Sequence, residues 1–154
     1  MSRYAATTSV SSAKSKAEIE ALVERYSAAQ FVSGWSADRA VVGFTMRGRQ
    51  VKFVLTMPDK TRREFTHHSK GARTVEAALA QWEQACRARW RALLLVIKAK
   101  LEAVESGISV FEDEFMANIV LPDGKMVGEF MRPQIAHAYE TRKMPALLPY
   151  FGEE

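Results

Sequence analysis

Three kinds of hydrophobic spacing divide the chain. Ile19, Leu22, Val23 and Tyr26 recur at i, i+3, i+4 and i+7, which lays one apolar stripe along a helix. Ser15 and Glu18 form an S-x-x-E pattern, in which each side chain satisfies an orphan amide of the other's end, so the helix is expected to begin at Ser15. From residue 30 the period shortens to two. Phe31, Ser33 and Trp35 alternate with Val32 and Gly34, and Val42, Phe44 and Met46 with Val41, Gly43 and Thr45. Val51, Phe53, Leu55 and Met57 then alternate with Lys52, Val54 and Thr56. Turn residues at 36–38 and Gly48 separate these runs, and Pro58-Asp59 ends the last. The pattern predicts three strands in an antiparallel meander.

The third spacing is again helical and much longer. Leu79, Trp82, Cys86, Trp90, Leu93, Ile97, Leu101, Val104 and Ile108 form a stripe that stays on one face, because their average step matches the α-helical repeat. Thr74 caps this helix and Gly107 ends it, so it covers about residues 75–106, near 48 Å in length. Trp90, Leu93 and Ile97 sit at mid-stripe and are expected to be almost fully buried. Leu94, Leu95 and Val96 fall off the stripe, so the middle of the helix is expected to be covered nearly all round.

Between the strands and this helix, residues 58–73 have no clear period and carry Lys60, Arg62, Arg63, Lys70 and Arg73, a basic loop. After the helix, SVFEDEFMANIV predicts a short helix and Leu121-Pro122-Asp123-Gly124 a turn. A hairpin across that turn competes with the helical reading. A last helix is expected over residues 127–142, with Phe130, Ile135 and Tyr139 inward and a kink or restart at Pro133. MPALLPYF then reads as an extended tail. The fold class is α+β: an N-terminal helix, a three-stranded antiparallel meander, one long central helix and shorter C-terminal helices. Residues 15–148 form the single domain; residues 1–14, rich in Ser, Thr and Ala, form a flexible arm; residues 149–154 form a tail.

Totals narrow the classes. A chain of 154 residues fits one domain. Its longest strong apolar run, Leu93 to Ile97, falls far short of the ~20 residues that cross a bilayer. The start lacks the basic and apolar regions of a secretory signal, so the cytoplasm is the expected compartment. Cys86 is the one cysteine, which leaves no disulfide or cysteine-zinc site within the chain; it reads as a small buried hydrophobe. Net charge is only +4, but residues 47–100 hold thirteen basic and four acidic side chains, whereas residues 101–154 hold four basic and ten acidic. Such polarity can steer anionic partners to one face, or the two segments can neutralise each other.

Candidate chemistry is sparse. Adjacent His67 and His68 point opposite ways in an extended segment and do not readily share a metal. The carboxylates Glu102, Glu105, Glu112, Asp113, Glu114 and Asp123 follow the long helix without a nuclease signature. No glycine-rich phosphate loop or nucleophile elbow occurs. Nothing therefore supports an enzymatic activity, and no cofactor or metal is expected. The cations are more informative. Glu83 and Arg87, and Lys98 and Glu102, are spaced to pair at i, i+4. Arg89, Arg91 and Lys100 have no acidic neighbour on their own helix. With Arg47, Arg49, Lys52, Arg62 and Arg63 they make the expected nucleic-acid-binding surface. Phe65 and Trp35 are candidate stacking groups, although burial is the favoured expectation for Trp35.

The stretch from Trp82 through Cys86-Arg87-Ala88-Arg89-Trp90 to Glu105 resembles a family of small phage and prophage proteins with no activity to carry over. The resemblance extends through Leu121-Pro122-Asp123-Gly124 to Met144-Pro145 and implies a virus-encoded protein expressed in a bacterial host. The order helix, three strands, helix is also similar to that of double-stranded-RNA-binding domains, from which the 58–73 loop and the oversized helix depart. The expected function is non-enzymatic binding, with nucleic acid as ligand. Its alternatives are a phage factor that binds a host protein, such as an inhibitor of a host enzyme or defence system, and a small virion assembly component.

Overall fold

The structure, a computed structural model, describes residues 5–144. The first helix, α1, spans Ser12–Arg25 and is followed by strands β1 (Gln30–Trp35), β2 (Arg39–Met46) and β3 (Arg49–Thr56). A short helix α2 (Arg63–Thr66) leads to a two-residue hairpin, β4 (His67–His68) and β5 (Gly71–Ala72). Helix α3 spans Val75–Glu105, α4 Phe111–Phe115, and α5 Val127–Thr141, with a 3₁₀ turn at Met116–Asn118 between the last two. This is the expected α+β order.

The three strands pair antiparallel in the order β1-β2-β3. Arg47 and Gly48 close the second hairpin with φ of 52° and 73°. Two positive values in a two-residue turn match the twist of the flanking strands. The predicted alternation selects the inner face: Ala40, Val42, Phe44 and Met46 of β2 and Val51, Phe53 and Leu55 of β3 are buried. They meet Ile19, Leu22 and Val23 of α1 and Trp90, Leu93, Leu94, Ile97 and Leu101 of α3 in one cluster. Phe111 and Phe115 of α4 close its end.

Several expectations are corrected. Helix α1 begins three residues early, with the Ser11 hydroxyl accepting the Lys14 N–H at 3.1 Å. Ser15 is buried inside the helix, so the Ser15–Glu18 capping box does not form. Residues 5–11 are not a detached arm: Ala5 is buried, and the Gln84 amide donates to the carbonyls of Ala6 and Thr8 at 3.2 and 2.8 Å. The 58–73 loop contains α2 and the small hairpin, tied down by Arg73, which donates to the carbonyls of Glu64 and Phe65 at 2.8 and 2.9 Å. Among the described residues, helix α3 is not covered all round. Leu94 is buried but Val96 is 44% exposed, and the stripe ends, Leu79 and Ile108, lie in solvent.

Both C-terminal readings are partly realised. SVFEDEFMANIV contains α4, and the turn after it is closed by a bridge between Val120 and Met126. Helix α5 runs past Pro133. It does not turn Ile135 and Tyr139 inward: both are exposed, and its one buried residue is Gly128. A Cβ at Gly128 would lie 3.0 Å from the Ala117 carbonyl oxygen, so the close approach of α5 to the 3₁₀ turn depends on glycine there. Gly128→Val should therefore destabilise by about 1–3 kcal/mol, measured by chemical denaturation. The expected tail and the domain boundary at 148 lie outside the described residues.

Candidate nucleic-acid interface

The eight cations singled out in the sequence do not form one surface. Arg47 lies at the hairpin end of the sheet, with its guanidinium 5.7 Å from the Phe111 ring centre and beside Leu101 and Val104 of α3. Arg62 and Arg63 start α2, in the segment that follows Pro58, whose carbonyl accepts Trp82 Nε1–H at 2.6 Å. Trp82 and Leu101 are about 28 Å apart along α3, so these cations belong to separate ends of the molecule.

Two of the eight form ion pairs with other elements. Arg91 reaches Glu18 of α1 at 2.8 Å, and Lys100 donates to the carbonyl and carboxylate of Glu114 at 2.9 and 3.4 Å. Their lack of partners on their own helix was therefore misleading, since packing supplies partners from α1 and α4. Arg62 meets Glu64 at 3.5 Å on the surface. Arg49, Lys52, Arg63 and Arg89 make no ion pair among the described residues. The i, i+4 pairs expected within α3 are absent too: Arg87 donates to the Gln84 side chain at 2.6 Å, and Glu102 accepts from the Tyr26 hydroxyl at 3.4 Å.

These partners give a test. Arg91→Glu sets two carboxylates against each other and should cost about 1 kcal/mol of stability, whereas Arg63→Glu should leave it unchanged. Thermal melts of the two variants separate the roles.

The stacking candidates are reversed. Phe65 is buried, and Trp35 is 82% exposed. Trp35 ends β1, next to the turn whose Asp38 carboxylate accepts the Ser36 hydroxyl at 3.0 Å. That hydrogen bond, with Arg39 beside it, holds the Asp38 carboxyl below its usual pKa. Asp59 is likewise lowered, by the backbone N–H and hydroxyl of Thr61 at 2.8 and 2.7 Å.

Trp35 borders a cleft of about 960 Å³ between the start of α1, the β1–β2 turn, the segment after β3 and the first half of α3. All three tryptophans of the chain, Trp35, Trp82 and Trp90, line it. Lys16, Arg39, Lys60 and Arg87 provide its positive charges, against Asp38, Asp59 and Glu83. Lys60 Nζ sits 4.2 Å from the Trp82 ring centre, a cation held on an aromatic face. Cys86 lies in the wall, where burial raises its thiol pKa; the neutral thiol is a poor nucleophile at neutral pH.

Sequence reasoning missed this cleft because its members come from four separate segments. The available signal was the spacing of Trp82 and Trp90 on one helix. No three His, Cys, Asp or Glu side chains converge as a metal site among the described residues, and no described helix is long and apolar enough to cross a membrane. His68 Nδ1 instead accepts the Lys70 N–H at 3.0 Å, and His67 Nδ1 lies 2.8 Å from the Thr66 hydroxyl.

Fold and site together define an α+β domain with one three-stranded sheet, one dominant helix and an aromatic cleft at one end of both. Comparison with protein-family models, with curated proteins and with solved structures finds no match.

Proposed function

We propose that this is a non-enzymatic, phage-type binding protein that holds nucleic acid in the tryptophan cleft. The observation that carries this reading is the convergence of all three tryptophans with Lys16, Arg39, Lys60 and Arg87. Aromatic faces stack bases of any sequence, and cations follow the phosphates, a combination that suits single strands. Trp35 offers the open ring; Trp82 and Trp90 are held more deeply and shape the floor. Arg63 and Arg89, without ion-pair partners, extend the positive field beyond the cleft.

The test is a fluorescence titration with single- and double-stranded DNA and RNA at low salt. Binding should quench tryptophan emission, and log affinity should fall linearly with log salt, by about 0.7 per phosphate neutralised on a single strand. Trp35→Ala should weaken binding by roughly 5- to 150-fold, the value of one lost stacking contact. Absence of binding by the wild-type chain to all four ligands would overturn the proposal.

A second reading, a phage factor that binds a host protein, is favoured by one feature. Helix α5 presents Ile135 and Tyr139 to solvent, 48% and 83% exposed, and a nucleic-acid role for the cleft does not use them. A pull-down from host lysate with nuclease treatment distinguishes the two: a protein retained after digestion, and lost on Tyr139→Glu, supports the second.

A further inference from the structure

The two edges of the sheet are treated differently by the described residues around them. The Met57 N–H donates to the Asp38 carbonyl and the Ser36 N–H to the Arg39 carbonyl, at 2.9 and 2.8 Å. With the observed registers, these fix which backbone groups face which neighbour. On β3, Gln50 and Lys52 face outward, and both are covered: the Gln50 carbonyl accepts the Val120 N–H at 2.8 Å, and the Lys52 carbonyl accepts Asn118 Nδ2–H at 3.0 Å. On β1, Phe31, Ser33 and Trp35 face outward. Among the described residues no loop, turn or side chain bonds their N–H or C=O groups.

An open edge is a template for another strand, and proteins blunt such edges with charge, proline or bulges. The strand QFVSGW has no charged residue and no proline, and it pairs with β2 without a bulge. We propose that β1 is a docking edge for a second copy of this chain, pairing antiparallel with itself about a twofold axis at Ser33. The sequence is self-complementary in that register. Phe31 would lie opposite the partner's Trp35 on the inner face of the sheet, giving an aromatic cross-strand pair at each end. Val32, 68% exposed, would lie opposite the partner's Gly34 on the outer face, where open space surrounds the missing Cβ. The same patch serves both copies, as a twofold interface requires. No charged side chains meet at this axis, since the strand QFVSGW carries none. The result is a six-stranded sheet with both clefts, each bordered by Trp35, on the same side.

The test is sedimentation velocity on the nuclease-treated full chain from low to several hundred micromolar, with amide hydrogen exchange at both extremes. A concentration-dependent dimer is expected. The Phe31, Ser33 and Trp35 amides should become protected as it forms, while the Val32 and Gly34 amides, already bonded to β2, should not change. Ser33→Pro removes an outward N–H that β2 does not use, and Val32→Lys places charge beside the axis. Each should weaken the dimer at least about tenfold, the effect of roughly 1.4 kcal/mol, with the circular dichroism of the monomer retained. A monomer at every concentration would overturn the proposal, as would a dimer that leaves the three odd-numbered amides unprotected.

Discussion

Phe115→Ala should lower the free energy of unfolding by about 3–5 kcal/mol. The side chain is fully buried, with its ring centre 4.9 Å from that of Phe111 and edge-on to Phe44 and Phe53 at 6.0 and 6.4 Å. Truncation removes the transfer free energy of the ring, leaves a cavity between α4 and the sheet, and forfeits aromatic contacts of about 0.5–1.5 kcal/mol per pair. Phe115→Leu keeps most of the volume and should cost less. Urea denaturation monitored by circular dichroism measures both. An unchanged midpoint for the alanine variant would show that α4 is not part of the cooperative core.

Leu93→Ala should cost about 2–5 kcal/mol, since Leu93 is buried at the centre of α3 between α1 and the sheet. Val96→Ala, one turn further along on the open side of the same helix, should change stability by less than about 0.5 kcal/mol. The pair tests the one-sided packing of α3. Equal losses at both positions would mean that a covering element lies over Val96.

The long-helix stripe and the strand alternation were legible because burial of one face imposes a period on the residues themselves. Trp90, Leu93 and Ile97 are buried as that reasoning requires. It failed at the stripe ends, Leu79 and Ile108, because periodicity locates a face but not how far along the helix a partner extends. It also failed for Ile135 and Tyr139, whose spacing fits an inward face that α5 does not bury. The start of α1 was misplaced because serines at 9, 11, 12 and 15 all satisfy the cap chemistry, and only packing selects Ser11.

For the candidate site the division is sharper. Unpaired charge on one helix is a local property, and the ion pairs of Arg91 with Glu18 and Lys100 with Glu114 join residues far apart in the chain. The exposure of Trp35 likewise depends on where its strand ends relative to α1 and α3. By itself the sequence determined the element order, the inner face of the sheet and the central stripe of α3, because those follow from local periodicity and turn chemistry. Only the tertiary structure decided which cations are neutralised, that three tryptophans share one cleft, and that among the described residues β3 is covered while β1 is open, because each depends on segments distant in sequence meeting in space.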